Sequence, residues 1–520
     1  MSSIPGMFAQ VSQRFGTRPA VIEPVANQQL STLTYSGLQT RIEQFAGYLQ
    51  QLSVPKGERI MIWSPSSSDW LVAYFGALLV GLVVVPLDVN TKEDFLARLV
   101  DSTEAHYLIA TQKLFHSLKH SSLTWIDIES LPGGNLNRLT LPVIHEDDLA
   151  ELVFTSGTTG QPKGVMLSHK NILSNAHASV EAVQINEHDR ALSILPLSHM
   201  FEMTIDMALL STGASIVYAR SLNPDVLFNL LETQHITCMV LVPQALQLFM
   251  NGIEREIRRK NMQKQWELLH RVARYTPFSL RRYIFRAIHK RFGGHFRLFV
   301  SGGAYLPPKL GLWWENMGFR VLQGYGATEC SPVISVNPPH DHNLASVGKP
   351  IPGVEIRLDA DQEVLVKGPN VALGYWQNPE ATAAAFQNGW YRTGDLGYLD
   401  EQHTLYLKGR KKNLIVLGNG MNVYPEDLEN ILQIQEGVKD AIVLGKLDEE
   451  KGPEVHAVLL MEDTAKAKQA IQSTNKLVAS HQQIRGFTIW PNEDFPRTNT
   501  LKVKRQDVYA VLQTMPQGIN

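Results

Sequence analysis

Apolar positions along the first 300 residues switch repeatedly between helical and strand periods. Leu38, Ile42, Phe45, Leu49 and Leu52 fall on one face of a helix, which predicts an amphipathic helix over 38–52. Arg59-Ile-Met-Ile-Trp63 follows as a strand. Trp70 to Leu87 is an uncharged apolar run, long enough to raise the question of a membrane span. Gly81 and Pro86 interrupt it. It therefore divides into a buried helix over 70–81, with Asp69 as its expected cap, and a β-branched buried strand over 82–87. The same alternation continues as a helix over 94–101 and a strand over 106–110, then a helix over 224–233 and a strand over 238–242. A further strand over 297–301 runs into Gly302-Gly303. Strands separated by helices predict an α/β fold, with a large N-terminal domain of parallel and mixed sheets flanked by helices.

Composition changes this picture little. The chain has 520 residues, 44% of them hydrophobic and 19% charged, which fits a globular enzyme of more than one domain and argues against disorder. A net charge of −2 gives no nucleic-acid signal. Two cysteines, Cys238 and Cys330, make no disulfide framework and point to a reducing compartment. The N-terminus lacks a basic region followed by an apolar core, so no secretory signal is expected and the location is read as cytoplasmic. From about residue 411 a helix over 425–432, strands over 441–444 and 455–460, and a Lys-rich tail predict a small α+β domain.

Charge is concentrated in one place. Residues 251–297 carry thirteen Lys and Arg against three Glu, with Trp266, Leu268, Leu269, Tyr275, Phe278, Tyr283, Ile284 and Phe285 interleaved. Such a stretch suits the surface of an anionic membrane, on the inner face, or an acidic protein partner. An ordinary solvated helical face is the alternative.

The candidate chemistry lies in five segments. Thr155-Ser156-Gly157-Thr158-Thr159-Gly160-Gln161-Pro162-Lys163-Gly164 follows an apolar strand and converges N–H and O–H donors and a cation on one point, which suits a polyphosphate. It lacks the glycine before and the hydroxyl after the lysine that the common P-loop requires. Ser301-Gly302-Gly303-Ala304 ends a strand at a sharp turn and leaves flat backbone open to a planar base or an acyl chain. Gln323-Gly-Tyr-Gly-Ala-Thr-Glu329 offers Tyr325 for stacking beside Gly326, Thr328 as a phosphate hydroxyl, and Glu329 as a hard oxygen ligand for Mg²⁺. Trp390-Tyr-Arg-Thr-Gly-Asp395 places an acid after a tight turn, where a carboxylate can accept both ribose hydroxyls. Pro496-Arg-Thr-Asn-Thr-Leu-Lys-Val-Lys-Arg505 is a basic tail.

Together these segments resemble the signatures of the AMP-forming acyl-activating superfamily, over roughly residues 10–510. The resemblance implies an AMP-binding acyl-activating domain over 1–410 and a mobile C-terminal lid domain over 411–520. It implies that the 155–164 loop cradles the β- and γ-phosphates of ATP, with Thr155 and Glu329 holding Mg²⁺. Gly303 and Ala304 then line the adenine and acyl pockets, Asp395 holds the ribose with Arg410 as a second ribose or phosphate partner, and Lys412 is the hinge. His199, in Leu195-Pro-Leu-Ser-His-Met-Phe-Glu202, matches a family histidine between the acyl pocket and the CoA tunnel, a binding rather than a base role. Pro496-Arg497-Thr498 sets the register that makes Lys502 the catalytic lysine, with Lys504 its neighbour. Thr328, Glu329 and Lys502 are the implied catalytic set.

Within the superfamily the chain is similar to bacterial long-chain fatty acid–CoA ligases, through Tyr325 to Pro339, the basic stretch leading into Phe292-Gly-Gly-His-Phe-Arg, and Leu501 before Lys502. The implied reaction is attack of a fatty carboxylate on the α-phosphate of Mg·ATP to give acyl-AMP and pyrophosphate, then thioester formation with coenzyme A. Glu202 stands where shorter-chain relatives often have Gly, and Asn419 splits a glycine pair in the loop expected to face CoA. Asp359–Gln362 is a shortened hairpin connection, expected to be neutral. An acyl-AMP ligase that loads a separate acyl carrier protein is the alternative. A non-catalytic nucleotide-binding module is disfavoured by the joint presence of Lys502, Glu329 and Asp395.

Overall fold

A computed structural model describes residues 3–24, 29–118, 123–134, 140–155, 163–418, 421–448, 452–497 and 503–514. The chain divides into two compact units, one of residues 1–355 with 366–391, the other of 356–365 with 392–520.

The first unit is built on two mixed sheets. One runs from edge to edge as Lys349–Pro350, Val333–Val336, Arg320–Gly326, Leu298–Ser301, Cys238–Leu241, Arg190–Ser193, Ser215–Tyr218, Pro19–Pro24 and Leu30–Thr34. Its six central strands are parallel and its edges antiparallel. The other runs Gly374–Tyr375, Lys163–Ser168, Leu149–Thr155, Val83–Leu87, Arg59–Trp63, Tyr107–Ala110 and Thr124–Asp127. The five strands from Leu149–Thr155 onward are parallel.

The uncharged run resolves as the sequence predicts. Helix Ser68–Leu79 buries every residue from Trp70 to Leu78, and strand Val83–Leu87 is buried along its length. The cap differs. Ser67, not Asp69, accepts the Trp70 amide, and Asp69 sits in the first turn facing Arg41. Ser67 has extended backbone and Asp69 is already helical, so only the former can cap. Among the described residues no helix is long and apolar enough to cross a membrane.

The basic stretch folds as helices Pro243–Arg259, Gln263–Arg274, Phe278–Ile284 and Arg286–Arg291. Their inner faces join an aromatic core with Phe292, Phe299, Trp314 and Phe319. Each such buried ring contributes about 1.5–3 kcal/mol. Trp266 and Phe285 belong to this core and are not surface aromatics, whereas Leu268, Tyr275 and Tyr283 are exposed. Arg297 is paired with buried Asp189.

Helix Met200–Thr212 carries Glu202 and Asp206 one turn apart, both buried. Burial pushes the Asp206 carboxyl from 3.8 up to about 7, against a hydrogen bond donated by Tyr218 Oη to Oδ2 at 2.7 Å. Burial and then the neighbouring Asp206 raise Glu202 further. A carboxyl raised on folding stabilises fully below its unfolded value, and that contribution is lost as pH rises toward its folded value. Asp206→Asn therefore flattens the fall in thermal stability between pH 4 and 7. Melting curves of the two proteins across this window check it; parallel curves contradict it.

The second unit holds antiparallel strands Val438–Asp448 and Gly452–Met461, with Gly486–Ile489 parallel to the latter. Helices Pro425–Gln433 and Ala467–Asn475 and the C-terminal helix Arg505–Thr514 complete it. Leu428, Leu432, Val443, Ala457 and Leu459 form its own core.

Candidate active site

In the first unit the glycine-rich segment connects two antiparallel strands. Strand Leu149–Thr155 returns antiparallel as Lys163–Ser168, with Thr155 opposite Lys163. Ser156, Gly157, Thr158, Thr159 and Gly160 lie outside the described residues. Edge strand Gly374–Tyr375 continues the sheet beyond Lys163–Ser168, pairing Tyr375 with Val165. The Leu373 amide donates to Met166 O at 3.0 Å and the Trp376 amide to Gly164 O at 2.7 Å. Tyr375 is thereby held against the foot of the loop. The Lys163 ammonium stands 5.0 Å from the centre of its ring. Its phenol donates to Glu329 Oε1 at 2.8 Å. Burial and the Glu329 carboxylate push the phenol pKa up, so the hydroxyl keeps its proton and donates.

Glu329 comes from the connection between strands Arg320–Gly326 and Val333–Val336, which contains one 3₁₀ turn, Thr328–Cys330. Gly326 has to be glycine there, because a Cβ would lie 2.0 Å from Pro332 O. Two buried amides clamp the turn. Asn175 Nδ2 donates to Cys330 O at 3.0 Å and Val333 O at 2.7 Å, and Asn370 Nδ2 to the same two carbonyls at 2.9 and 3.1 Å. The Ala372 amide donates to Glu329 O at 2.8 Å, and Thr204 Oγ1 to Ser331 O at 2.8 Å. Each such bond contributes about 1 kcal/mol net, and together they fix Thr328 and Glu329 on a rigid support. Among the described residues no Lys or Arg pairs with Glu329, so its carboxylate suits a hard divalent cation together with phosphate oxygens.

The glycine pair stands at the carboxyl end of Leu298–Ser301, beside the carboxyl end of the parallel strand Arg320–Gly326. Such strand ends are where α/β sheets bind ligands. A Cβ on Gly302 would meet the Phe201 ring at 2.9 Å, and Gly303 has φ +76°. Gly303 is exposed, Ala304 half-buried and Tyr325 buried.

His199 occupies the N-cap position of helix Met200–Thr212. Its Nε2 lies 3.4 Å from Asp88 Oδ2. Both atoms are buried and out of hydrogen-bond alignment, so the contact is an electrostatic one. Burial would raise the Asp88 carboxyl, but His199 and the Asn90 amide outweigh it and hold the pKa below the ordinary value.

The remaining residues belong to the second unit. Asp395 does not follow a tight turn as the sequence suggested. It lies inside strand Trp390–Leu399, whose Gly394 takes φ +71° without ending the strand. Across the antiparallel pair it faces Arg410, with Arg410 Nε 2.6 Å from Asp395 Oδ1. Lys412 sits in the short turn Lys411–Asn413 that follows. Partial desolvation, then Arg410 and Arg505, hold its ammonium pKa below the ordinary value.

Lys502 lies outside the described residues, but both ends of its segment are anchored. Arg497 and Val503 form an antiparallel bridge, and the Lys504 amide donates to Pro496 O at 2.8 Å. Arg497 Nη2 is 2.7 Å from Asp440 Oδ2. Arg505 pairs with Glu429 and Glu426 and donates to Val443 O at 3.1 Å. Burial pushes the Glu429 carboxyl up to about 7, with Arg505 opposing it.

Sequence reasoning missed Tyr375, Asn370, Asn175 and Asp88. Tyr375 stands on a two-residue strand with no period to detect. The two asparagines act on backbone carbonyls far along the chain, and nothing in their local sequence marks them.

The AMP-binding enzyme family model matches residues 8–376, and the AMP-binding enzyme C-terminal domain model matches 412–515. A long-chain-fatty-acid–CoA ligase, FadD15, of Mycobacterium tuberculosis is 28% identical over 88% of this chain and 87% of its own length. The long-chain-fatty-acid–CoA ligase of Escherichia coli O157:H7 is 26% identical over 97% of this chain and 94% of its own. The o-succinylbenzoate CoA synthetase MenE of Bacillus subtilis, solved with its acyl-adenylate intermediate, is 25% identical, covers 100% of both chains and superposes with a TM-score of 0.82.

Proposed function

Since this chain belongs to the AMP-binding enzyme family, we propose that it activates a long-chain fatty acid as its acyl-AMP and transfers the acyl group to coenzyme A. The observation that carries the reading is the contact chain from Lys163 through Tyr375 to Glu329, which ties the foot of a polyphosphate loop to an acidic turn. A cation and a carboxylate braced through one phenol suit the two ends of a magnesium triphosphate.

In this reading the 155–164 loop with Lys163 binds the β- and γ-phosphates, and Thr328 donates to the α-phosphate. Glu329 and Thr155 would hold Mg²⁺, which when bound neutralises phosphate charge. Tyr325 stacks on the base, Gly303 and Ala304 leave room for base and acyl chain, and Asp395 with Arg410 takes the ribose hydroxyls. Lys502 supplies positive charge where the carboxylate meets the α-phosphate. The side chains do little covalent work; positioning and charge carry the first step. His199, 3.4 Å from Asp88, stands between the acyl pocket and the CoA tunnel. The functional boundary falls at residues 410 and 411, and Lys412 is the hinge at which the C-terminal part turns between the half-reactions. The exposed Leu268, Tyr275 and Tyr283 among cations support peripheral contact with an anionic membrane.

The test supplies palmitate and ATP with either coenzyme A or an acyl carrier protein and identifies the products. AMP, pyrophosphate and palmitoyl-CoA are expected. Palmitoyl-carrier protein without palmitoyl-CoA replaces this reading with carrier loading. Shorter or aromatic acids that outcompete palmitate by more than tenfold remove the long-chain assignment.

The hinge has its own consequence. Proline fixes φ near about −65°, whereas a hinge has to absorb a large backbone change. Lys412→Pro is expected to slow thioester formation from supplied acyl-AMP more than it slows acyl-AMP formation. Single-turnover rates of the two half-reactions check this, and an equal fall in both places the hinge elsewhere.

A further inference from the structure

Within the second unit, two segments that lie on opposite sides of Lys412 in the chain are packed against each other. Strand Leu405–Arg410, in the sheet that contains Trp390–Leu399, runs into the turn Lys411–Asn413, and helix Pro425–Gln433 comes after it. The strand backbone is bare at Gly409, where a Cβ would collide with Glu426 Oε2. Glu426 is fixed to the helix side: Asn413 Nδ2 donates to its Oε1 at 2.6 Å, and Arg505 pairs with it. A backbone turn at Lys412 carries Asn413, the helix and Arg505 together. It therefore has to part the helix from the strand.

Lys408 is the side chain that crosses this contact. On the strand side it is held twice. Its Nζ donates to Gln362 Oε1 at 2.9 Å and stands 5.6 Å from the ring centre of Tyr398. Tyr398 is in turn stacked on Tyr406 at 4.7 Å, with the planes 3° apart. On the helix side the same Nζ stands 5.9 Å from the ring centre of Tyr424, the N-cap residue. One ammonium thus lies within cation–π reach of a ring from each side. It also faces the first turn of the helix: burial and Glu426 push the Asp427 carboxyl up to about 6, and Lys408 opposes them. Lys408, Tyr424 and Asp427 are all half-buried, so solvent screens these attractions only in part. Lys411 offers a contrast. It pairs with Asp361 and Glu363, which both precede Lys412, so its ion pairs do not cross the contact.

We propose that Lys408 is a positioning residue for the two-step reaction: by bridging Tyr398 and Tyr424 it latches helix Pro425–Gln433 onto strand Leu405–Arg410, and so sets the balance between acyl-AMP formation and thioester formation. The proposal rests on the hinge assigned to Lys412 above. A contact made in only one of two orientations favours that orientation by its own strength and no more. Removing it moves population to the other orientation, so one half-reaction gains at the expense of the other. A side chain that only supported the fold would lower both.

Single-turnover rates of the two half-reactions, measured on the full chain, test the latch. Lys408→Ala and Tyr424→Leu should each change the ratio of the two rates about two- to fivefold in the same sense, the effect of losing one partly exposed cation–π pair. Lys408→Arg and Tyr424→Phe keep a cation and a ring, so they should keep the wild-type ratio. Lys411→Ala should leave the ratio unchanged, because its ion pairs stay on the strand side. A short bismaleimide joining cysteines placed at 408 and 424 gives a second measurement. Cys238 and Cys330 are buried, so the reagent reaches the introduced pair. The crosslinked protein should carry out one half-reaction and lose the other. A ratio unchanged by Lys408→Ala while Lys412→Pro divides the two rates keeps the hinge and overturns the latch. A ratio changed by Lys408→Ala while Lys412→Pro lowers both rates equally keeps the latch and moves the hinge. Both half-reactions proceeding in the crosslinked protein also overturns the proposal.

Discussion

Replacing Lys502 with alanine lowers the rate of acyl-AMP formation by about 10²–10³, the usual effect of removing one charge partner from a transition state. Thioester formation from supplied acyl-AMP stays within a few-fold of wild type. The asymmetry follows from the role given to this lysine, a cation placed where the carboxylate meets the α-phosphate. Once the adenylate exists that charge has done its part. On either side of Lys502 the described residues are tied down, Arg497 to Asp440 and Arg505 to Glu429 and Glu426. Lysine can be matched by arginine in charge but not in shape, so Lys502→Arg is expected to recover only part of the lost rate. Rapid-quench measurement of each half-reaction checks the prediction. An equal loss in both removes Lys502 from the first step alone.

Glu329→Gln is the second large effect. The substitution keeps size and still accepts a hydrogen bond from Tyr375, so the clamped turn should survive. It removes the only charge at the tip of that turn. Acyl-AMP formation should fall at least about 10²-fold at fixed magnesium, and raising the magnesium concentration should recover part of the loss. Tyr375→Phe should have a smaller effect, about tenfold or less, because it removes the brace and leaves the charge. If Glu329→Gln retains full activity, the carboxylate is a structural partner of Tyr375 and nothing more. Thermal melting of both variants separates lost charge from lost fold, since the Asn175 and Asn370 bonds to Cys330 and Val333 remain in each.

The sequence carried the alternating architecture well, because helices such as 35–51 are long enough to show their period and strands such as 83–87 stand out as short β-branched runs. It carried the site motifs for a different reason: the glycines at 302, 303 and 326 mark backbone that no other residue could occupy without collision or strain. What it could not carry is contact between distant segments. Tyr375 reaches Glu329 only because a two-residue edge strand pairs with the far side of the glycine-loop hairpin. Asn175 and Asn370 lie 195 positions apart and bind the same two carbonyls. Local reading also misplaced Asp395, since Thr-Gly-Asp looks like a turn in isolation while pairing with Leu405–Arg410 draws it into a strand. Surface assignment failed for Trp266 and Phe285 in the same way, because the aromatic core that covers them draws its rings from residues 228–319.

The central claim is that this chain forms an acyl-adenylate before any thiol takes part. Exchange of labelled pyrophosphate into ATP, measured with palmitate present and coenzyme A absent, tests it most directly. The account predicts exchange that requires both palmitate and magnesium and that disappears with Lys502→Ala. Palmitate-independent exchange, or none until coenzyme A is added, would contradict it.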